Sequence, residues 1–359
     1  MKALTTVLAL LAAVGAAARL LPSSLCTLPF VPDVVSAEPW FALGAVVSLL
    51  LSFVPVWHEH RTLRLFVRIL TVSTIALQVS WQLPFFVPSA RVSAATSTED
   101  ASSSAAGSNA ADVDGSSSST AASSTLRVMT CNVYKGAADA ATVVELVRAQ
   151  GIQVLALQET TTEFVEQMEA AGLNELLPYS MRSSSDGVYG NGVWSATPLA
   201  DTASDDIGSS ASAMPAGSIT VELADGTTTQ VRFVSVHTCS PVAGYWDLWK
   251  QSIDELSVVR ERLAEDSSLN YVLMGDFNAT YDHAPFRDLL AAGSGCELHD
   301  AARETGQGVI STWPANKVVP AFCAIDHVIS SESVVATSVT TATVPGADHL
   351  ALIATLQVS

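Results

Sequence analysis

Six places along the chain combine an apolar run with an adjacent polar side chain that could serve acid–base or metal chemistry. They carry Asn132, Glu159, His237, Asp276 with Asn278, Asp326 with His327, and Asp348 with His349. Taken alone, an Asp before a helix is usually an N-cap, and a lone His is usually a satisfied core residue. The six-fold recurrence predicts one polar cluster instead. Because neighbouring carboxylates repel unless a cation neutralises them, and oxygen ligands suit Mg²⁺ or Mn²⁺, this cluster is expected to bind a divalent metal.

The apolar runs read as strands of an α/β or α+β layered sandwich, since strand signals alternate with helical ones from Leu126 onward. α/β sheets place their sites at strand ends, which is where these side chains fall. Asp225-Gly226 marks a hairpin turn. The predicted strands are 126–131, 154–157, 188–194, 218–223, 230–236, 271–274, 324–329 and 350–357, and the predicted helices are 140–149, 161–170 and 246–263.

The charge of this region disfavours a nucleic-acid substrate. From Leu126 onward there are 11 Lys and Arg against 28 Asp and Glu, a net charge of −17. Nucleic-acid binding depends on basic residues that neutralise phosphates. Acidic surfaces also simply keep proteins soluble, so the charge lowers the expectation of a nuclease without excluding it.

Three apolar stretches precede this region and predict membrane segments. They run from Leu4 to about Leu21, from Trp40 to Trp57 and from Leu65 to about Val87, each near the ~20 residues that cross a bilayer. The first could instead be a cleaved signal peptide. Lys2 and the basic loop 58–64 are expected to face the cytoplasm, because basic loops stay inside. The third segment then exits outward, which predicts a multi-pass protein of the cell membrane with an extracytoplasmic main domain.

The sequence thus divides into three parts. Residues 1–87 are the predicted membrane region with three helices, and residues 88–125 form a Ser/Ala/Thr-rich linker with almost no large apolar side chains. Such a composition cannot bury enough surface to fold, so we expect a disordered tether there. Residues 126–359 form the predicted catalytic domain.

Residues 126–359 resemble the endonuclease/exonuclease/phosphatase superfamily, the fold of pancreatic deoxyribonuclease. The resemblance lies in an ordered set of short motifs rather than in any one of them. These are Thr130-Cys131-Asn132-Val133, Leu157-Gln158-Glu159, Gly192-Val193-Trp194-Ser195, Val236-His237-Thr238, Gly275-Asp276-Phe277-Asn278, Ile325-Asp326-His327 and Ala347-Asp348-His349. The resemblance implies a four-layer α/β/β/α sandwich, classed as α+β, with the site at one edge.

It also implies roles for these residues. Glu159 resembles the principal metal ligand, helped by Asn132 and Asp348. Asp276 would orient or deprotonate the attacking water, and Asn278 would hold the phosphoryl oxygens. His349 would contact the phosphate, positioned by Asp326, and His237 would assist the leaving group or bind phosphate. His327 is more simply a structural neighbour.

The function expected from all this is divalent-metal-dependent hydrolysis of phosphodiesters or phosphomonoesters. The substrate could be a lipid headgroup, a small organophosphate or a nucleic acid, and no protein partner is indicated. The alternatives are an extracellular nuclease of the same fold and a non-catalytic binding module that kept the fold. Tyr245-Trp246-Asp247-Leu248-Trp249 could touch lipid or a base, although aromatics at this spacing are more often core.

The five cysteines form no C-x-x-C pair, which argues against a zinc knot. An exported domain could oxidise one pair, for which Cys296 and Cys323 are the expected residues, because Cys131 and Cys239 adjoin the expected site. Buried free thiols are the alternative.

Overall fold

The computed structural model describes residues 1–57, 60–96, 125–291 and 296–359. Most of the predicted tether, residues 97–124, and positions 58 and 59 of the predicted basic loop lie outside the described residues. Four helices form the N-terminal region: α1 (Lys2–Arg19), α2 (Val31–Ser36), α3 (Glu38–Leu51) and α4 (Arg61–Gln82). We call α1, α3 and α4 the helical bundle, since all three pairs are in contact.

Two helices of the bundle, α1 and the one that begins at Arg61, are long and apolar enough to cross a membrane by length and composition. The second predicted segment ran from Trp40 to Trp57, but α3 ends at Leu51 after 14 residues. Pro55 follows shortly, and a proline disfavours helical backbone at the residue before it.

Residues 125–359 fold into two six-stranded sheets flanked by helices, as the resemblance implied. The first sheet has the order β11-β12-β1-β2-β4-β3 and the second has the order β5-β6-β7-β8-β10-β9. The strands are β1 (Thr125–Asn132), β2 (Val154–Gln158), β3 (Tyr179–Arg182), β4 (Asn191–Ser195), β5 (Ala200–Ala203), β6 (Ala216–Glu222), β7 (Thr228–His237), β8 (Tyr271–Asp276), β9 (His299–Asp300), β10 (Asp326–Ser330), β11 (Val334–Ala342) and β12 (Ala351–Val358).

Helices cover the outer face of each sheet, which gives the four-layer sandwich. They are α5 (Ala140–Gln150), α6 (Thr162–Ala170) and α7 (Leu173–Leu176) on the first sheet, and α8 (Trp246–Asp254), α9 (Val258–Glu265) and α10 (Ala284–Leu290) on the second, with α11 (Ala301–Thr305) against β10 and β11. The helix predicted over 246–263 is interrupted by a 3-10 turn at Glu255–Ser257. There the Glu255 carboxylate accepts hydrogen bonds from Ser210 N and Oγ.

Alternation along the strands separates three apolar layers. Val128 and Val154 point between the sheets, where they meet Phe233 and Val272. Their neighbours in sequence, such as Met129, point outward to the helices. The inner layer is therefore fully enclosed, and polar groups are accommodated where the strands end.

Residues 88–96 belong to the predicted tether but lie against the sandwich. Ser89 N donates to Glu304 O at 2.9 Å, and residues 90–96 are helical. Arg91 pairs with the buried Glu304 carboxylate and, at 3.6 Å, with Glu332. Cys323 is buried and its Sγ donates to Ser36 O, so the expected Cys296–Cys323 disulfide is not formed.

Candidate active site

The inner faces of the two sheets change from apolar to polar toward one end. Beyond the apolar layer, Gln158 Nε2 donates to Ser235 Oγ at 3.0 Å and to Thr130 Oγ1 at 3.2 Å, which links β2 to β7 and β1. Asn191 Nδ2 donates to Ser235 O at 2.9 Å. Because these buried groups satisfy one another, they form a fixed base for the charged residues that follow.

Strand pairing explains why residues far apart in sequence meet there. β1 and β2 are parallel, and Asn132 pairs with Gln158, the residue before Glu159. β7 and β8 are also parallel, and His237 pairs with Asp276. β10 runs antiparallel to β8 and begins at Asp326, opposite Asp276. The ends of the parallel strands and the start of their antiparallel neighbour therefore lie at the same edge.

A glycine permits the approach of β8 to β7 directly before Asp276. Gly275 has φ +155°, and a Cβ built on it would lie 2.0 Å from Val236 O. Any other residue would force the two strands apart. Gly275 thus fixes the position of Asp276 opposite His237.

Asn132 connects the two sheets across the site. Its Nδ2 donates to Glu159 Oε1 at 3.2 Å and to Asp276 Oδ2 at 3.1 Å. Its Oδ1 accepts from Tyr134 N at 3.0 Å, which fixes the orientation of the amide. The Asn132 amide therefore sets the separation between the Glu159 carboxylate, which follows β2 of the first sheet, and the Asp276 carboxylate of the second sheet.

The loop after β8 orients Asp276 further. Asn278 N donates to Asp276 Oδ1 at 2.8 Å, and Asn278 Nδ2 donates to Thr238 O at 3.0 Å. Asn278 and Glu159 both have left-handed backbone, with φ of +47° and +57°. Non-glycine residues in this region cluster at functional sites.

His349 and Asp326 form the strongest polar pair of the site. His349 Nδ1 lies 2.8 Å from Asp326 Oδ2, and its Nε2 lies 3.7 Å from Asp276 Oδ2. Burial alone lowers the pKa of His349, but the carboxylates of Asp326 and Asp276 outweigh it and raise the pKa to about 10. The ring is therefore an imidazolium at neutral pH, with Nε2 directed toward Asp276.

His237 differs from His349 in its environment. Its Nε2 lies 3.9 Å from Asp276 Oδ2, and its Nδ1 is buried without a hydrogen-bond partner. Burial lowers its pKa, against the opposing effect of Asp276. The two histidines of the site therefore differ in charge, since one is a cation and the other is neutral.

One cleft of about 820 Å³ collects the residues singled out from the sequence. Asp326 lies behind it, buried against His349. The eight candidate site residues thus share a single location; those that line the cleft are Asn132, Glu159, His237, Asp276, Asn278, Asp348 and His349. His327 points away: its Nδ1 lies 2.7 Å from Asp300 Oδ2 and its Nε2 lies 2.9 Å from Ala279 O.

Two contributions to the cleft were not anticipated from the sequence. Ser212 donates to His237 O at 2.6 Å and lines the cleft, although it lies in a Ser-rich loop without a motif. Asp33, Ser36 and Ala37 from the N-terminal region form part of its wall. No local pattern in the sequence indicates that a segment beside an apolar N-terminal helix reaches a site formed by distant residues.

A family model described as the Endonuclease/Exonuclease/phosphatase family matches residues 129–349, more than half of the chain. The chain belongs to this family. Its members are generally hydrolases of phosphoester bonds. No curated protein matches the chain.

Solved structures show the same fold. An endonuclease/exonuclease/phosphatase from Bacteroides vulgatus matches with a TM-score of 0.51 at 16% identity, over 66% of this chain and 99% of that one. D. rerio TDP2 complexed with a single-strand DNA product matches with a TM-score of 0.50 at 16% identity, over 65% and 98%. At this identity the likeness concerns the fold.

Proposed function

We propose that this protein is a divalent-metal-dependent phosphoesterase whose catalytic domain lies outside the cell, anchored by the N-terminal helices. The observation that carries the proposal is the convergence of an Asp326–His349 pair, an oriented Asp276 and the Glu159 carboxylate in one cleft. Phosphoryl transfer needs fixed positive charge near the phosphoryl oxygens and a base near the attacking water.

A divalent cation fits the donor set around Glu159. Glu159 Oε2 is buried without a hydrogen-bond partner, and burial raises the pKa of this carboxyl. An orphaned carboxylate oxygen of this kind is what a cation would satisfy. Asp348 lies on the same cleft, and Asn132 Oδ1 keeps one lone pair beyond its bond to Tyr134 N. Mg²⁺ or Mn²⁺, held by Glu159, Asn132 and Asp348, would neutralise charge on the phosphoryl group.

A second group of metal-type donors, Asp276, Asp326 and His349, has its ligand atoms within 4.8 Å of one another. We assign this group to catalysis, because Asp326 Oδ2 already holds His349 Nδ1. The hydrogen bond gives Asp326 the role of a positioning residue.

Side chains of the cleft supply the base for the attacking water and the contacts to the phosphate and the leaving group. Asp276 accepts hydrogen bonds from Asn132 Nδ2 and Asn278 N, which aim its carboxylate into the cleft as the base for water. Burial raises the pKa of Asp276, which makes it a better proton acceptor than a solvated Asp. The His349 imidazolium binds the phosphoryl oxygens. His237 and Asn278 then contact the phosphate or the leaving group from the other side of Asp276.

The burial pattern of the bundle supports membrane anchorage. Most inward-facing side chains are small or polar, as in packed membrane helices: Thr5, Ala9, Ala12, Gly15, Ala16 and Arg19 on α1, Glu38, Ala45 and Ser48 on α3, and Thr71, Thr74 and Gln78 on α4, with Val67 on α4 as the exception. Large apolar side chains face outward: Leu4, Val7, Leu10 and Val14 on α1, Leu43, Val46 and Leu50 on α3, and Leu65, Ile69 and Val72 on α4. A bundle in water would reverse this arrangement.

The proposed sidedness is supported by which end of the bundle contacts the sandwich. Arg19 at the end of α1 and Trp40 near the start of α3 contact the sandwich, while Lys2 and Arg61 lie at the opposite ends of their helices. Basic flanks stay in the cytoplasm, so we place the sandwich outside.

Metal-dependent hydrolysis of bis-(p-nitrophenyl) phosphate by the full chain in detergent tests the proposal. We expect turnover with Mg²⁺ or Mn²⁺, loss of turnover with EDTA, and at least a hundred-fold loss, on the order of 3 kcal/mol of transition-state stabilisation, in Glu159→Ala and His349→Ala. Glu166→Ala removes an exposed acid of α6 and serves as the matched control. Folded protein without turnover would favour the non-catalytic module, and DNA cleavage at physiological salt would favour the nuclease.

A further inference from the structure

The N-terminal region reaches the active-site cleft through the segment between α1 and α3. We call residues 20–40 the connecting segment. Pro32 O lies 3.0 Å from His283 Nε2, and Trp40 Nε1 donates to Phe322 O at 2.9 Å. Next to the segment, Arg19 Nε pairs with Asp282 Oδ1 at 2.6 Å, with both side chains buried. The contacts of Pro32 and Arg19 are buried, and together with that of Trp40 they hold the segment in one position.

The connecting segment forms part of the wall of the catalytic cleft itself. Asp33, Ser36 and Ala37 line the same cavity as Glu159 and His349. Removing the segment would open the cleft on that side. The N-terminal region is thus a structural part of the site as well as an anchor.

The rim of the cleft is apolar and aromatic. Tyr189, Val242 and Tyr245 line the cleft and are more than half exposed, at 59%, 55% and 54%. Phe30 of the connecting segment is 67% exposed and packs edge-to-face on Trp246, with 5.8 Å between ring centroids. Trp249 is by contrast fully buried, so only part of the Tyr245–Trp249 motif belongs to the core. Exposed patches of this kind mark interaction sites, and aromatic rings favour the membrane interface.

The charge of the cleft disfavours polyanions. Among the described residues that line it, Lys135 is the single Lys or Arg, whereas Asp33, Glu159, Asp276 and Asp348 contribute carboxylates. One bound cation and the His349 ring, held 2.8 Å from Asp326, can contact one phosphate group. Asp33 at the wall repels additional phosphates and favours a neutral or cationic alcohol.

From these observations we propose that the cleft accepts the headgroup phosphodiester of a phospholipid from the membrane in which the bundle lies, with the connecting segment as the wall facing that membrane. This rests on the proposed phosphoesterase function. The segment joins the ends of α1 and α3 that contact the sandwich, and Phe30 of this segment packs on Trp246 next to the rim residue Tyr245. Hydrolysis adds one water: its oxygen bonds to phosphorus, the bond from phosphorus to one alcohol breaks, and that alcohol takes up a proton.

The test uses the full chain in nanodiscs that contain phosphatidylcholine, with Mg²⁺ present. We expect release of a water-soluble or lipid-borne phosphate monoester, at a rate above that for glycerophosphocholine, the same diester without its acyl chains. Hydrolysis of bis-(p-nitrophenyl) phosphate without hydrolysis of the lipid would overturn the inference but leave the phosphoesterase intact. Equal rates on glycerophosphocholine and lipid, or faster cleavage of a single-stranded oligonucleotide, would also overturn it. Failure on every substrate would instead refute the proposed function.

Two variants test the wall and the rim. Asp33→Lys should raise the rate on phosphatidylglycerol relative to phosphatidylcholine by about two- to five-fold, since it reverses one exposed charge beside the headgroup. Tyr245→Ser should lower the ratio of lipid to bis-(p-nitrophenyl) phosphate hydrolysis. Glu265→Lys reverses an exposed charge outside the cleft and should change neither ratio. Identical lipid preference in Asp33→Lys and Glu265→Lys would contradict the placement of Asp33 beside the bound headgroup.

Discussion

The helical bundle and the sandwich bury opposite kinds of side chain. The sandwich encloses Phe233, Met274 and Trp194, whereas the bundle encloses mainly alanine, serine and threonine and exposes most of its leucine and valine. The same physical rule, that the surface matches its solvent, produces both patterns if the bundle lies in lipid and the sandwich in water. The difference teaches that hydrophobic content alone does not identify a core.

Helix ends differ less between the two regions. In the described part of the chain, the N-cap side chains of Asp139, Thr161 and Asp300 accept hydrogen bonds at the starts of α5, α6 and α11. The N-caps of α7 to α10 in the sandwich have no such bond, and neither do those of α1, α3 and α4 in the bundle. The bundle and the sandwich meet at a contact region that we call the joint, formed by Arg19 with Asp282 and by Pro32 with His283.

The largest expected effect concerns the joint. Asp282→Asn leaves Arg19 buried without its charge partner, which costs about 3–5 kcal/mol. We expect loss of hydrogen-exchange protection in residues 19–40 and 280–287 while the sheets stay protected. Asp254→Asn, which removes an exposed pair with Lys250, is the control and should cost at most about 1 kcal/mol. Unchanged protection at residues 19–40 would mean that the two regions do not rely on this contact.

The next largest effect tests whether the outer face of the bundle lies in lipid. Leu43 on α3 is 60% exposed in the folded chain. In water, Leu43→Arg would be nearly neutral, but in a bilayer it should cost about 2.5–3.5 kcal/mol of insertion. Alkaline extraction of membranes measures the loss of integrated protein. Full retention of Leu43→Arg in the membrane pellet would argue against a lipid-facing α3, with Val319→Arg on the exposed sandwich surface as control.

A pH effect acts on the same joint. His283 is buried, accepts from Thr280 N through Nδ1 at 2.9 Å and faces Pro32 O through Nε2. Burial lowers its pKa from 6.5 to about 4. As pH falls below about 6.5 the unfolded chain binds the proton first, so stability that is present above pH 6.5 is lost progressively toward pH 4, by up to about 3 kcal/mol.

Thermal melts of the wild type and His283→Gln between pH 7 and pH 4 measure this loss. The variant should start less stable and decline less steeply with acid, since glutamine does not titrate. Parallel declines of the two proteins would show that His283 is not responsible.

The smallest expected effect lies at a helix cap of the sandwich. Asp139 accepts hydrogen bonds from Ala141 N and Thr142 Oγ1 at 3.2 and 2.8 Å. Asp139→Ala should cost about 1 kcal/mol. Denaturant titration followed by near-UV circular dichroism checks it, and a cost near zero would show that this cap is dispensable.

The sequence predicts the sandwich well because its central strands are apolar runs with a polar residue at one end. β1, β2, β7, β8 and β12 were found in this way, and the two parallel pairs bring their ends together. β11 was missed because Thr and Ser interrupt its apolar residues, and β9 was missed because it has two residues. At the interruption of the 246–263 helix, Glu255 accepts hydrogen bonds from Ser210, a contact with a residue far away in sequence.

The sequence predicts that the eight candidate side chains converge, but it does not predict which other segments line the cleft. Each of the eight side chains carries a local signal, an apolar run beside it. The contribution of Asp33 and the attachment of Arg91 to Glu304 depend on how the connecting segment and residues 88–96 pack against the sandwich. Such packing is set by contacts between distant segments, for which the sequence has no periodic pattern.

Hydrolysis of bis-(p-nitrophenyl) phosphate in H₂¹⁸O by the full chain with Mg²⁺ tests most directly whether this cleft drives the attack of water on phosphorus. We predict that one ¹⁸O atom enters the p-nitrophenyl phosphate product, that p-nitrophenol stays unlabelled, and that His349→Ala forms both products at least about a hundred-fold more slowly. Label in p-nitrophenol, or formation of the labelled product by His349→Ala at the wild-type rate, would contradict the account.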